Sequence, residues 1–333
     1  MKQNIAVLGA GSWGSALAMT LVENGHEVCL WGNHANVINH INEQHVNKHY
    51  LPHIVLPKRL KATLELEEAL NKCDAILFAV PTSAIREVAQ KVVSLLNHKP
   101  YIIHASKGLE QETHERISQI LKTEFPASSY QDIIVLSGPS HAEEVARHDL
   151  TSITAACECE ESAKYVQQLF MNHYFRVYTN TDVIGVELGA ALKNVIAVGA
   201  GILHGLGYGD NAKAALVTRG LTELSRFGVA CGAKASTFSG LSGVGDLIVT
   251  CTSVHSRNWR FGYLLGQGRS TQEALKDINM AVEGYWTTKV AYELAQEKGI
   301  DMPITTAIYD VLYQGQTPKS AVLSLMTRDG KSE

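Results

Sequence analysis

Three glycines near the N-terminus have the spacing of a loop that holds a phosphate group. Gly9, Gly11 and Gly14 form a G-x-G-x-x-G motif. The first glycine permits a tight turn, the second lets a pyrophosphate lie against the backbone, and the third lets a helix approach a strand closely. The following helix would point its free N–H groups at the phosphates. Between an apolar run and a helical pattern, this motif predicts a dinucleotide site more strongly than a merely tight turn.

The end of the second predicted strand bears on the choice of coenzyme. NAD-selective sites often place an acidic side chain there, on the ribose hydroxyls. Here the chain reads Trp31-Gly32-Asn33-His34. Because no acid would repel a 2′-phosphate and His34 could bind one, the sequence favours acceptance of NADP(H).

A lysine in the second half of the chain is the candidate acid–base group. Lys193 lies in the apolar segment 183–206, flanked by Leu192 and Val195. A buried ammonium group without a function is energetically expensive. Burial lowers the pKa of a lysine, as a general base near neutral pH requires. The alternative, a lysine that extends to solvent, is less plausible on a helix that is apolar on all sides.

Residues 239–262 contain side chains suited to a phosphate monoester. Arg257 offers a planar fork of donors, and its neighbours Ser256 and Asn258 are neutral hydrogen-bonding groups. Three glycines just before Asp246, at positions 240, 243 and 245, predict an irregular segment that faces a ligand. Ordinary roles stay open, because Asp246 could cap a helix and Arg257 could be a surface arginine.

Two segments that follow predicted strands carry further candidates. Lys107, between Ser106 and Gly108, is either a solvated loop lysine or a substrate contact. Ser140 and Glu143 match the capping box S-x-x-E, which predicts a helix start. Such a helix start can also offer N–H groups to a phosphate or a nicotinamide, so the two roles are compatible.

The elements that must position these residues follow from the apolar patterns. Residues 5–8, 27–31, 74–80, 101–105 and 133–136 form apolar runs typical of buried strands, and helical patterns separate them. This alternation predicts an α/β fold with a doubly wound parallel sheet, whose ligands bind beyond the carboxyl ends of the strands. Helical patterns dominate from Thr181. We therefore expect a nucleotide-binding domain over residues 1–180 and an all-helical domain over residues 181–333.

Composition excludes several classes of protein. The 333 residues carry a formal net charge of −4, so no overall basic field attracts nucleic acid. A membrane span over 183–206 is rejected because Glu187 and Lys193 fall inside it. The six scattered cysteines indicate reduced thiols and a cytoplasmic protein. His45, His49 and His53 have helical spacing, but Pro52 interrupts the helix and no further ligand completes a metal site.

Several blocks together resemble the bacterial NAD(P)-dependent sn-glycerol-3-phosphate dehydrogenases. They are GAGSWGSALA, FAVP, SKGLE, SGPS, GVELGAALKNVIAVGAG, GVGDLIVTCTS, SRNWRFG and VEGY. The glycine motif is common to many dehydrogenases, whereas ALKNVIA, GDLIVTCTS and SRN in combination are specific. The resemblance implies a Rossmann domain, an all-helical substrate domain, and reversible oxidation of sn-glycerol 3-phosphate to dihydroxyacetone phosphate. It also implies a homodimer and a supply of glycerol 3-phosphate to phospholipid synthesis.

The resemblance also implies residue roles at matching positions. It makes Lys193 the proton acceptor, with Asp246 holding it. The cofactor contacts that it implies, besides the three glycines, are Ser12, Trp13, His34, Lys107, Ala142, Arg257, Ala281 and Glu283. The implied substrate contacts are Lys107, Gly138, Ser140, Lys193, Asp246, Ser256, Arg257 and Asn258. Ala281 stands where relatives often carry valine, and His34 stands where relatives vary, which leaves the preference between NAD and NADP open.

Two other functions stay open at this stage. A related dehydrogenase could act on another small hydroxy acid, but Arg257 and Asn258 would then lose their purpose. A catalytically silent NAD(P) sensor would bind cofactor without turnover, and a buried Lys193 speaks against it.

Overall fold

The structure, a computed structural model, describes residues 2–330 and residue 332. The chain divides into two compact units. The first comprises the residues up to Lys107 together with Glu115–Val183, and the second comprises Gly108–His114 and the residues from Ile184 onward. The short segment Gly108–His114 thus belongs to the second unit although the first unit surrounds it in sequence. The division at residues 180 and 181 that the sequence suggested remains a prediction.

The first unit alternates strands and helices. In chain order its elements are β1 (Asn4–Leu8), α1 (Ser12–Glu23), β2 (Glu27–Trp31), α2 (Ala35–Gln44), β3 (Val46–Asn47), β4 (Leu51–Val55), β5 (Lys61–Thr63), α3 (Leu66–Leu70), β6 (Ala75–Phe78), α4 (Ile85–Leu95), β7 (Tyr101–His104), α5 (Ile117–Glu124), β8 (Ile133–Ser137), α6 (Ala142–Val145), β9 (Thr151–Ala156), α7 (Glu160–Phe170) and β10 (Phe175–Asn180).

The main sheet has eight strands in the order β10-β9-β8-β7-β6-β1-β2-β5. Every neighbouring pair is parallel except β8 and β9, which are antiparallel. Chain order reverses between β1 and β6, because the chain first adds β2 on one side of β1 and later returns to the other side. In sheets of this kind, ligands bind beyond the carboxyl ends of the strands at such a reversal.

Alternate residues of the central strands feed two separate cores. Ile5 and Val7 of β1 belong to one apolar cluster, which includes Leu17 of α1. Ala6 and Leu8 belong to another, which includes residues of α4 and α5. Successive side chains of a strand point to opposite faces, so the sheet is covered by helices on both faces. The predicted doubly wound α/β architecture is confirmed.

The second unit is helical. Its helices are α8 (Val183–Gly205), α9 (Asp210–Ala230), α10 (Ala235–Phe238), α11 (Asp246–Thr252), α12 (Arg257–Gly266), α13 (Thr271–Ile278), α14 (Glu283–Lys298), α15 (Pro303–Tyr313) and α16 (Pro318–Met326). A π-helical turn, Leu241–Gly245, leads into α11. Helix α8 is long and apolar enough to cross a membrane, but 89% of its most apolar window is buried inside the protein. It is therefore the central helix of this unit's core.

The predicted irregular segment around Asp246 is wrong, because most of it is helical. The glycines there serve close packing instead of irregular backbone. A Cβ on Gly243 would lie 2.1 Å from the carbonyl oxygen of Phe238, and a Cβ on Gly189 of α8 would lie 2.3 Å from that of Ser242. Glycine at these positions lets α8 approach the π-helical turn, which brings the start of α11 close to the middle of α8.

Candidate functional site

The glycine turn between β1 and α1 has the geometry of a nucleotide-binding loop. Gly9 has a φ of +119°, and a Cβ there would lie 2.7 Å from the carbonyl oxygen of Ala79, just after β6. A Cβ on Gly14 would lie 1.9 Å from the carbonyl oxygen of Gly9. These two glycines therefore seat the turn at the reversal of strand order between β1 and β6.

Gly11 differs from its two neighbours in the motif. A Cβ placed on it would meet no atom of the protein within 4 Å. Gly11 is also the residue before α1, and it offers no side-chain cap to the helix. The turn thus leaves open backbone beside the first N–H groups of α1, where a pyrophosphate finds donors and a positive helix end. The residues present fit a dinucleotide.

The first residue of α1 is hydrogen-bonded to the hairpin of β3 and β4. The hydroxyl of Ser12 donates to the carbonyl oxygen of Tyr50 at 2.9 Å. In the described part of the chain, the indole Nε1 of Trp13 is buried without a hydrogen-bond partner. An unused buried donor is costly unless a ligand accepts it, so Trp13 is consistent with its expected place on the cofactor.

His34 is the residue immediately before α2, beyond the end of β2. It is exposed and makes no side-chain cap, and the first turn of α2 contains no acidic residue. The adjacent Asn33 is exposed as well. A 2′-phosphate at this strand end would therefore meet donors and a positive helix end, with no carboxylate to repel it.

Three residues of the first unit that are expected to contact substrate or cofactor are joined through one carbonyl group, that of Gly138. Gly138 follows β8 with a φ of +148°. Its carbonyl oxygen accepts from Lys107 Nζ at 2.9 Å and from Ser140 Oγ at 3.0 Å. The loop after β7 is thereby tied to the loop after β8.

The predicted capping box at Ser140 is wrong. Helix α6 begins at Ala142 and the residue before it is His141. The hydroxyl of Ser140 turns back to Gly138 and leaves the helix uncapped. Ala142 is buried as the first residue of α6.

Lys193 and Asp246 form a buried ion pair within the helical unit. Lys193 Nζ, in the middle of α8, contacts Asp246 Oδ1 at the start of α11. Their side chains are 7% and 1% exposed. A lysine that extends to solvent is therefore excluded, and burial of the charge is compensated by its partner.

Thr250 completes this arrangement one turn further along α11. Its hydroxyl accepts from Lys193 Nζ at 2.9 Å and donates to the backbone carbonyl of Asp246 at 2.6 Å. The adjacent thiol of Cys251 is buried, and this burial raises its pKa to about 12. The thiol therefore stays protonated beside the ion pair of Lys193 and Asp246.

Asn258 links three helices. Its Nδ2 donates to Asn194 Oδ1 on α8 at 2.8 Å, and its Oδ1 accepts from the backbone N–H of Gly284 on α14 at 2.8 Å. Gly284 allows this approach, since a Cβ there would lie 2.6 Å from the carbonyl oxygen of Asn194. The residue beside Lys193 is thus connected to the start of α14, where Glu283 is the first residue.

The remaining candidates lie at two helix starts. The hydroxyl of Ser256 accepts from the N–H of Trp259 at 3.2 Å, so Ser256 caps α12. Arg257 follows as the first residue of α12 and is exposed. Ala281 is exposed two residues before α14. Arginine beside a capped helix start is a favourable arrangement for an anion.

Sequence reasoning missed three residues that the contacts single out. Asn194 and Thr250 hold Asn258 and Lys193, and Asn47 donates to the carbonyl oxygen of Ala10 in the glycine turn at 2.9 Å. Asn194 could have been found from the sequence, because it is a polar residue within an apolar helix. Thr250 and Asn47 depend on contacts between distant parts of the chain.

Comparison with known proteins gives a consistent result. The family model described as NAD-dependent glycerol-3-phosphate dehydrogenase N-terminus matches residues 4–163, and that described as its C-terminus matches residues 182–323. A glycerol-3-phosphate dehydrogenase [NAD(P)+] from Enterococcus faecalis is 64% identical over 333 residues, which cover 100% of this chain and 98% of the relative. One of the same description from Streptococcus equi subsp. zooepidemicus is 60% identical, with coverage of 100% and 98%.

A solved structure extends the similarity to three dimensions. The crystal structure of glycerol-3-phosphate dehydrogenase from Coxiella burnetii superposes with a TM-score of 0.93 at 39% sequence identity. The match covers 98% of this chain and 99% of that one.

Proposed function

The chain belongs to the NAD-dependent glycerol-3-phosphate dehydrogenase family, and from this premise we propose how its residues carry out the reaction. It is an NAD(P)-dependent oxidoreductase that interconverts sn-glycerol 3-phosphate and dihydroxyacetone phosphate. The buried pair of Lys193 and Asp246 is the observation that carries the assignment of roles.

The first unit would hold the cofactor by its glycine turn. Gly9 and Gly14 shape the turn, Gly11 leaves room for the pyrophosphate, and Ser12 and Trp13 begin the helix that faces it. Ala142, Arg257, Ala281 and Glu283 are proposed further contacts on the basis of the family resemblance. When bound, NAD(P) supplies or accepts the hydride at C2 of the substrate.

Lys193 exchanges the proton of the substrate oxygen in this proposal. During reduction, the oxygen at C2 gains negative charge, and an ammonium group held at a fixed position can donate a proton to it. Asp246 and Thr250 restrict the ammonium group to one orientation. In the reverse direction, Lys193 takes the proton from the hydroxyl group.

The other polar residues bind the substrate. Arg257 clamps the phosphate group through its planar fork of donors, at a helix start that Ser256 caps. Asn258 lies beside it and is held by Asn194. Lys107 is held at the end of β8 by Gly138, next to Ser140, and there it polarises the reacting oxygen or contacts the phosphate.

The coenzyme specificity proposed here includes NADP(H). It rests on the exposed His34 and the helix start without an acidic residue that follows it. We further propose a cytoplasmic homodimer that supplies glycerol 3-phosphate for phospholipid synthesis, by analogy with the family. Sedimentation that shows only a 36.3 kDa species at micromolar concentration would contradict the dimer.

A turnover assay separates this function from its rivals. Dihydroxyacetone phosphate and several ketone analogues of non-phosphorylated hydroxy acids are offered with NADH or NADPH, and the absorbance of the reduced nicotinamide is followed. We expect turnover of dihydroxyacetone phosphate with both coenzymes. Preference for a non-phosphorylated substrate would indicate a related dehydrogenase, and binding of NADH without turnover of any substrate would indicate a sensor.

A further inference from the structure

Asn47 is a completely buried polar side chain whose amide is committed to the glycine turn. It lies at the end of β3 and is 0% exposed. Its Nδ2 donates to the carbonyl oxygen of Ala10 at 2.9 Å and to Ser15 Oγ at 2.9 Å. Its Oδ1 accepts from the backbone N–H of Tyr50 at 3.2 Å. Both Nδ2 protons and one lone pair of the oxygen are therefore in use.

These hydrogen bonds connect the hairpin of β3 and β4 to both sides of the start of α1. Tyr50, which donates to Asn47, also accepts from the hydroxyl of Ser12 through its carbonyl oxygen at 2.9 Å. Residues 47–50 thus hold the turn at two points, Ala10 and Ser12, on either side of Gly11. The hairpin of β3 and β4 fixes both the carbonyl group before the open glycine and the first residue of the helix.

Fixing the carbonyl group of Ala10 also fixes the next N–H group. A trans peptide is planar, with its C=O and N–H groups pointing in opposite directions, and the described residues contain no cis peptide bond. While Asn47 holds the oxygen of Ala10, the N–H of Gly11 must point away from Asn47. If the carbonyl group were free to rotate, its partial negative charge could turn toward a bound phosphate and repel it.

We infer that Asn47 is a positioning residue that aims the backbone N–H groups of the glycine turn at the cofactor pyrophosphate. This rests on the proposed cofactor site at that turn. Asn47 touches neither the cofactor nor the substrate in this account. Its effect on binding passes through the peptide group of Ala10 and through Ser12.

The test compares variants that break different bonds of Asn47. In Asn47→Asp and Asn47→Ser, no amide donor remains for Ala10, and the second variant avoids a buried carboxylate. Ser15→Ala removes one partner of Asn47 but leaves the bond to Ala10. Val166→Ala, in the same apolar core but on α7, serves as a destabilised control. Thermal unfolding of each variant shows how much stability is lost.

The readout is the dissociation constant of NADH, followed by its fluorescence. We expect both Asn47 variants to bind NADH about ten- to a hundredfold more weakly, because hydrogen bonds to a charged group are misdirected. Ser15→Ala and Val166→Ala should bind NADH as the wild type does. As competitors of NADH, ADP-ribose should lose affinity for the Asn47 variants, whereas adenosine, which lacks the pyrophosphate, should not.

Failure of the inference and failure of the proposed cofactor site give different results. If Gly11→Ala weakens NADH binding but the Asn47 variants do not, the positioning role is wrong while the cofactor site stands. If Ser15→Ala, or Val166→Ala at an equal loss of stability, weakens binding as much as Asn47→Ser does, the role of Asn47 is structural and the inference is also wrong. If Gly11→Ala leaves NADH binding unchanged, the proposed cofactor site is itself wrong, and the inference falls with it.

Discussion

The ammonium group of Lys193 and the carboxylate of Asp246 form an ion pair whose side chains are only 7% and 1% exposed. Two charges removed from water in this way compensate each other, and removal of one partner leaves the other buried without compensation. The pair therefore couples the stability of the helical unit to the group proposed for proton exchange.

Asp246→Asn tests whether the ion pair supports both the stability of the helical unit and the proton exchange at Lys193. The substitution preserves the shape of the side chain but leaves the charge of Lys193 without a partner. We expect a loss of about 3–5 kcal/mol in the free energy of unfolding and a large fall in kcat. Urea unfolding and steady-state kinetics measure the two effects.

The double variant Lys193→Met, Asp246→Leu is the control for this prediction. Removal of both charges should recover much of the lost stability, since apolar groups of similar volume often replace buried pairs without cost. Activity should not recover. A double variant that regains turnover would show that the pair has no role in catalysis.

The three glycines of the motif should respond differently to alanine. Gly11→Ala places its methyl group where no protein atom lies within 4 Å, so thermal stability should hardly change while NADH binding weakens. Gly14→Ala places a methyl group 1.9 Å from the carbonyl oxygen of Gly9, so it should destabilise the fold. A Gly11→Ala variant that binds NADH as tightly as the wild type would contradict the proposed place of the pyrophosphate.

Arg257→Lys tests the proposed phosphate clamp. An ammonium group cannot reproduce the planar fork of arginine, so a charged hydrogen bond is lost at a cost of about 1.5–3 kcal/mol. We expect kcat/KM for dihydroxyacetone phosphate to fall roughly ten- to a hundredfold. For dihydroxyacetone, which lacks the phosphate and should already be a poor substrate, it should not fall further.

Equal proportional losses on both substrates would assign Arg257 to the cofactor or to the fold. Lys107 would then be the next candidate for the phosphate contact. A lower kcat alongside a higher KM is consistent with the clamp, since binding energy of a remote group is used partly in the transition state.

Glu223 gives a prediction about pH. Its buried carboxylate on α9 accepts from the backbone N–H groups of Ile304 and Thr305 at 2.6 and 3.1 Å, at the start of α15. Burial nevertheless raises its pKa above the ordinary value of 4.5. At a pH between the ordinary pKa and the raised pKa of the folded state, the folded protein therefore binds more protons at Glu223 than the unfolded protein does.

Stability contributed by such a group is fully present below pH 4.5 and is lost as the pH rises through the folded pKa. Relative to Glu223→Gln, whose side chain does not titrate, the wild type should lose free energy of unfolding as the pH rises from 4.5 toward neutrality. Urea unfolding of both proteins across this range provides the comparison. A difference that stays constant or grows in favour of the wild type would contradict the prediction.

The sequence predicted those features that depend on local spacing. The glycine motif and the strand and helix patterns around it were sufficient to predict the α/β fold and the tight turn between β1 and α1. A lysine in an apolar helix was sufficient to indicate a buried group at Lys193. Each of these signals lies within a few residues of the feature that it predicts.

Features that depend on distant contacts could not be predicted from the residues alone. Asn258 and Asn194 lie 64 residues apart in sequence, and their hydrogen bond follows from the packing of α12 on α8. The capping box at Ser140 failed for a different, local reason. Because Gly138 directs the chain with a φ of +148°, the serine hydroxyl reaches back to Gly138 instead of forward to the helix.

The decisive measurement for the role of Lys193 is the rate at which Lys193→Met reduces dihydroxyacetone phosphate at saturating NADH and substrate. Methionine is an unbranched side chain one atom shorter than lysine, and it cannot donate a proton. We expect kcat to fall about a hundred- to ten-thousandfold, while the dissociation constant of NADH stays at the wild-type value. A folded variant that reduces dihydroxyacetone phosphate at a rate close to that of the wild type would show that another group supplies the proton.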